Sequence, residues 1–326
     1  MSLPPSSHHA EQFGPNDPRL RSRYDRIREL FLNGDLNGAL SELQRALQDA
    51  PNDPVVHNDF GSFLLRRGRR EDLDKALAEF RESLRITPDA QVHSNVGITL
   101  WRMGQIDEAA AELREVVRLD PQFPLGHNNL GLVLLSQQHT EDAIAEFREA
   151  MRLDPDYADP HYNLGNALLG ECIAKGLDDF STPISEYREA LRLMPNYALA
   201  HFRLGDALRA KGDWDGAIAE YRESLRQQPN DPEFHNHLAY ALGQMGDAKG
   251  AIAELREALR LAPSDHRRTS LAFLGKLARP KARSSSGRTI CSLFPMIPRH
   301  MQHWLDCMEA SSILRGSSRS AGRCCV

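Results

Sequence analysis

Cysteine is scarce in most of this chain. Of the five cysteines only Cys172 falls in the first 263 residues, while Cys291, Cys307, Cys324 and Cys325 lie near the end. One cysteine cannot staple so long a stretch internally, which excludes a disulfide-built secreted scaffold and leads us to expect a reducing cytoplasm. No apolar run approaches the ~20 residues a membrane helix needs. Residues 1–19 have neither the basic nor the apolar stretch of a secretion leader and are expected to be disordered. No phosphate-cradling glycine loop, nucleophile–base pair or metal-ligand helix stands out. We therefore expect no enzyme activity and no catalytic residue, cofactor or metal. A net charge of −5 conceals an asymmetry, since residues 264–326 carry eleven Lys/Arg against three Asp/Glu, leaving −13 on the rest.

What is present is a ruler. Pro51, Pro88, Pro121, Pro155, Pro195, Pro229 and Pro263 are spaced 37, 33, 34, 40, 34 and 34 residues apart, each closing a phrase like Glu146-Phe147-Arg148-Glu149-Ala150-Met151-Arg152-Leu153-Asp154-Pro155. A fixed period of this size marks a stacked array of one small unit. In residues 124–157, a first helix (A) is expected from Pro124 to Ser136 and a second (B) from near Glu141, with Pro155 just beyond its end. Gly61, Gly97, Gly131, Gly165 and Gly205 recur at one phase of helix A. Glycine inside a helix costs roughly 1 kcal/mol relative to alanine, so close approach of a bulky helix-B residue such as Phe147 must offset it. The loop glycines Gly34, Gly68, Gly104, Gly212 and Gly246 suit left-handed helix ends.

Seven units result, roughly 20–53, 54–89, 90–123, 124–157, 158–197, 198–231 and 232–265. Residues 266–278 are expected to form a capping helix and 279–326 a basic, mostly flexible tail. Unit 1 has Arg26-Ile27 where the others have a Leu-Gly-like pair. Unit 2 has about three extra residues around Arg69 to Asp74. Unit 5 has about six between Gly170 and Ile184, with Thr182 expected as an N-cap ahead of Pro183.

The recurring Leu-Gly, Ala, aromatic and Pro resemble the tetratricopeptide repeat over about three quarters of the chain. That resemblance implies an all-α fold, a right-handed superhelical solenoid of about seven stacked helix–turn–helix repeats, with helix A lining a concave face. Carried onto this sequence, the inward fifth, ninth and twelfth positions supply the expected partner-binding residues Asn58, Trp101, Asn128, Tyr162, Asn166, Phe202, Asp206, Arg209, Asn236 and Tyr240. Asparagine bonds both edges of an extended peptide, and aromatic rings anchor at low entropic cost. The bland alternative is that these residues merely solvate a concave wall. A subclass of the family clamps chaperone C-termini with lysines that are absent here, so that ligand is not expected.

Other phases have competing readings. His57, His93, His127, His161, His201 and His235 share the fourth position. Single imidazoles one repeat apart are too distant to share a metal, and are read as scaffold against the preceding unit. Glu79, Glu112, Glu146, Glu186, Glu220 and Glu254, with the arginines of helix B, read as a solvated convex face whose i,i+3 pairs contribute little. Asn95, Asn129 and Asn163 resemble the asparagine ladder in the superhelical arm of O-linked N-acetylglucosamine transferases, without the catalytic domain. In the tail, Cys291, His300, His303 and Cys307 match no standard zinc module, and an amphipathic helix around Trp304 is the preferred reading.

The expected function is a non-catalytic scaffold holding a protein or peptide in the concave groove. The alternative is a substrate-recruiting or regulatory subunit of a separately encoded enzyme such as a glycosyltransferase. Nucleic-acid binding through the tail is disfavoured by its dispersed charge and few aromatics, and no membrane role is expected.

Overall fold

The computed structural model describes residues 20–262. The expected disordered leader, capping helix and tail, with its cysteines and histidines, lie outside them. Among the described residues there are fourteen α-helices, one short 3-10 turn and no strand. The helices are α1 (Arg21–Leu32), α2 (Leu36–Asp49), α3 (Pro54–Arg67), α4 (Leu73–Ile86), α5 (Ala90–Met103), α6 (Ile106–Leu119) and α7 (Pro124–Ser136). They continue with α8 (Thr140–Leu153), α9 (Ala158–Lys175), α10 (Ser181–Leu193), α11 (Ala198–Lys211), α12 (Trp214–Gln227), α13 (Pro232–Gln244) and α14 (Ala248–Leu261). Odd-numbered helices are the A helices of the units and even-numbered ones the B helices. None is long and apolar enough to cross a membrane.

Local chemistry sets these boundaries. Asp53 and Asp231 accept hydrogen bonds from two backbone N–H groups each at the starts of α3 and α13, with Pro54 and Pro232 at the first helical position. Asp35, Asp89, Asp213 and Asp247 cap α2, α5, α12 and α14, each accepting from one backbone N–H. All five expected loop glycines have φ between 71° and 89°. The fourth unit has no such glycine, and Gln138 takes the left-handed turn instead at φ 64°.

The chain divides into two compact units, with the boundary between Arg203 and Leu204, inside α11. In the first, consecutive helices pack side by side from α1 to α10. One continuous cluster of buried side chains runs from Ala39 and Leu43 to Leu164 and Ala167, so each hairpin buries its apolar face partly against the next. In the second, α12 packs on α13 and α13 on α14.

The helix-A glycines do what their phase implies. A Cβ on Gly61 would sit 2.7 Å from Phe80, on Gly97 2.7 Å from Leu113, on Gly131 2.6 Å from Phe147, on Gly165 2.7 Å from Tyr187 and on Gly205 2.6 Å from Tyr221. Each ring or isobutyl group therefore rests on bare backbone, and Phe80, Phe147, Tyr187 and Tyr221 are wholly buried.

Both insertions have a structural outcome. In unit 2, the 3-10 turn Arg70–Asp72 turns Asp72 inward, where Arg67 Nε donates to it at 2.7 Å and holds its carboxyl below the usual range. In unit 5, α9 runs to 18 residues and ends at the left-handed Gly176. Thr182 is not the cap expected of it, because α10 already starts at Ser181, whose N–H is taken by Asp179 Oδ1 at 2.9 Å. Pro183 is buried in the first turn, at the phase where other units carry alanine.

Candidate functional site

In α3, α5, α7 and α9, fifth and sixth residues join neighbouring A helices. Asn95 Nδ2 donates to Asn58 Oδ1 at 2.9 Å, Asn129 Nδ2 to Ser94 Oγ at 3.0 Å, and Asn163 Nδ2 to Asn128 Oδ1 at 2.9 Å. The sixth-position amides thus join successive units, and Asn129 and Asn163 are only 6% and 7% exposed. Between α1 and α3 the same two positions hold Tyr24 and Asp59, each 5% exposed. Neither the Tyr24 hydroxyl nor Asp59 Oδ2 completes a hydrogen bond. Burial pushes the Asp59 carboxyl up to about 7, the nearby Tyr24 hydroxyl opposes this, and the Asp53 charge reinforces it.

The ninth position answers the tyrosines of helix B. Tyr187 Oη donates to Asn166 Oδ1 at 2.9 Å, and Tyr221 Oη donates to Asp206 Oδ1 at 2.8 Å. In units 2 and 4, where helix B carries Phe80 or Phe147, the ninth residue is Ser62 or Leu132. Asp206 also accepts from His237 Nδ1 at 2.8 Å, with the Arg209 guanidinium 3.7 Å away.

The fourth-position histidines are bound to the helix-B glutamates. Nδ1 of His57, His93, His127, His161 and His235 lies 2.6–2.7 Å from Glu79, Glu112, Glu146, Glu186 and Glu254 respectively. Nε2 of His57, His127 and His235 donates to the carbonyls of Pro51, Pro121 and Pro229, each at 3.0 Å. For His127, donation from both nitrogens is what the protonated ring offers. The Glu146 carboxylate raises the His127 pKa, burial opposes this, and the Pro121 carbonyl adds to it. These glutamates are therefore latches across five of the hairpins, which corrects their reading as a merely solvated row. The arginines behave as expected: Arg85, Arg118, Arg152, Arg192, Arg226 and Arg260 pair with glutamates at i,i+3 in the open.

Of the ten residues expected to meet a partner, seven keep some exposure. Asn58, Trp101, Tyr162, Asn166, Arg209 and Asn236 are half-buried, and Tyr240 is 38% exposed with its ring 6.0 Å from that of Trp214. Trp101 Nε1 donates to Ser136 Oγ at 2.8 Å. Asn128, Phe202 and Asp206 are packed rather than presented, at 3%, 2% and 6% exposure. Asn128 spends its amide oxygen on Asn163 and its Nδ2 on the Tyr157 hydroxyl at 3.4 Å, and Asp206 serves Tyr221 and His237.

Within the first compact unit a cluster absent from the sequence expectations surrounds Tyr162. Its ring centroid is 4.9 Å from Tyr197 and 6.2 Å from Tyr187. Asp159, in the first turn of α9, has Oδ1 buried with no hydrogen-bond partner. Burial raises its carboxyl, and hydrogen bonding from the Tyr197 and Tyr157 hydroxyls partly counters this. A sequence signal existed: the residue before helix A is aspartate at positions 53, 89 and 231, but aromatic at Phe123, Tyr157 and Tyr197.

Two comparisons agree with this repeated-hairpin architecture. Tetratricopeptide-repeat models match residues 97–158, 131–170 and 232–265, and a related TPR-repeat model matches residues 205–246. These segments are tetratricopeptide repeats, and the fold is that of an all-α TPR-type solenoid. Similar solved structures include Cut9 in the APC/C hetero-tetramer Cut9–Hcn1, at 20% identity and TM-score 0.66, covering 78% of this chain and 48% of that one. IFIT1 with m7Gppp-AAAA aligns at 16% identity and TM-score 0.64, covering 75% of this chain and 59% of that one. TTC0263, a thermophilic TPR protein of Thermus thermophilus, aligns at 22% identity and TM-score 0.48, covering 58% and 98%. The chain thus spans about half the length of the Cut9 chain it matches, and at these identities the likeness is one of fold. No curated protein sequence matches it.

Proposed function

We propose that the chain is a non-catalytic scaffold that binds a protein or peptide along its helix-A groove. The observation that carries this reading is Tyr162, a half-buried ring stacked on Tyr197 at 4.9 Å and braced by Tyr187, hence a rigid anchor with part of its surface open. A half-buried amide, Asn166, lies one turn further along the same helix. Fold alone does not choose the ligand: one similar structure belongs to a hetero-tetramer and another holds m7Gppp-AAAA. The mixed Glu/Arg pairs outside helix B disfavour a nucleic-acid stripe.

Affinity capture with the full chain from its native lysate, wild type against Tyr162→Ala, tests this. A specific protein set retained by wild type and depleted by the variant supports it. An identical set on both refutes the groove assignment. Recovery of an enzyme such as a glycosyltransferase would make the scaffold that enzyme's recruiting subunit.

A further inference from the structure

Resting on that reading, we infer that the pocket formed by Tyr157, Asp159, Tyr162 and Tyr197 receives a lysine or arginine side chain of the bound peptide. Five carboxyl groups among the described residues are deeply set, and four are accounted for. Glu42 is paired with Arg23 and Arg45, Asp72 is paired with Arg67, Asp206 receives Tyr221 and His237, and Asp59 is sealed at 5% exposure beneath Tyr24. Asp159 differs from all of these: Oδ1 is buried without a partner and the carboxyl meets only the uncharged Tyr157 and Tyr197 hydroxyls, while the residue itself, Tyr157 and Tyr162 remain half-buried.

The walls suit a cation. Tyr162 and Tyr197 stand 4.9 Å apart at 37°, and Tyr157 is held by Asn128 Nδ2 at 3.4 Å, so the rings are fixed before anything arrives. Aromatic faces attract ammonium and guanidinium groups within about 6 Å of the ring centre. A carboxylate taken from water without a counter-charge is costly, and an incoming N–H donor with positive charge relieves that cost. A metal is disfavoured, since one carboxylate among phenols is a poor ligand set and the described residues hold no cluster of three or more His, Cys, Asp or Glu suited to one.

The test uses the full chain, a displayed random peptide library as probe, and Asp159→Asn and Tyr162→Ala as variants. Wild type should enrich peptides with Lys or Arg at one fixed place. For a synthetic winner, changing that residue to Gln on wild type, or Asp159→Asn against the unchanged peptide, should each weaken binding roughly ten- to hundredfold, the range of a charge-assisted hydrogen bond. The two changes together should cost little more than either alone. Asp159→Asn should melt at or above the wild-type temperature, and the peptide substitution tests the pocket even if the variant misfolds. Enrichment without a basic preference, or undiminished binding to Asp159→Asn, overturns the pocket and leaves the groove standing. If no peptide enriches on wild type, or Tyr162→Ala retains the same peptides, the groove and the pocket fall together.

Discussion

Tyr187 Oη donates to Asn166 Oδ1 at 2.9 Å, joining the two helices of one hairpin across the glycine contact at Gly165. Tyr221 and Asp206 repeat the bond in the next unit at 2.8 Å. A tyrosine on helix B and a polar ninth residue on helix A are thus one device, chosen jointly.

The two copies should respond differently to loss of the hydroxyl. Tyr187→Phe leaves a half-buried amide that water can reach, so about 0.5–1.5 kcal/mol is expected. Tyr221→Phe strips a donor from a carboxylate only 6% exposed, and about 1–3 kcal/mol is expected. Urea denaturation of both variants measures the difference. Equal losses would mean that Asp206 does not depend on Tyr221.

Gly131→Ala places a methyl 2.6 Å from the fully buried Phe147 ring. Overpacking of this kind costs about 1–3 kcal/mol, more than the gain in helix propensity of about 1 kcal/mol. Unit 7 uses Ala239 with Leu255 at these two phases. Gly131→Ala combined with Phe147→Leu should therefore be more stable than the sum of the single losses, as a double-mutant cycle in denaturant would show.

Asp59 stands where other units place Asn95, Asn129 and Asn163. Its folded-state pKa of about 7 exceeds the unfolded value of about 3.9. The native state therefore keeps a proton that the unfolded chain has released. The carboxyl costs nothing below pH ~4, costs progressively more up to pH ~7, and levels off above. Asp59→Asn should match wild type near pH 4 and exceed it by on the order of 2–4 kcal/mol at pH 8. A gain of the same size at both pH values would refute the buried-carboxyl account.

His127 has the opposite sign. Glu146 raises its pKa in the folded state, so its contribution is complete below the unfolded value near 6.5 and is lost as pH rises through the folded one. Glu146→Gln should lower the His127 titration midpoint by NMR and flatten the decline in melting temperature above neutrality. An unchanged midpoint would show that the carboxylate does not hold the imidazolium.

Much of the hairpin chemistry was legible because the residues that define it repeat in phase. Gly131 with Phe147 has counterparts in units 2 to 6, and the loop glycines recur in five units, because backbone geometry demands them there. The side-chain pairing was harder to see, since each partner sits in a different ladder. His93, His127 and His235 each lie 19 residues before their glutamate, while the insertions stretch this to 22 at His57 and 25 at His161. Read separately, one row looked like scaffold and the other like solvated surface. The packing of fifth-position Asn128 was hidden for a related reason: its partners, Asn163 and Tyr157, belong to the following unit and the connection leading into it. Asp159 was invisible because its significance lies in the absence of a counter-charge, which only spatial neighbours reveal.

The three amide bonds between A helices give units 3 and 4 both a plug at the sixth residue and a socket at the fifth. Unit 4 carries both in asparagine, as Asn129 and Asn128, so a tandem copy of residues 124–157 could mate with the original and still receive Asn163. Lengthening the array at that point preserves every junction, whereas copying unit 2 would set the acid of Asp59 against Asn58. Growth by duplication is thus chemically permitted at the middle of the chain and penalised at its start.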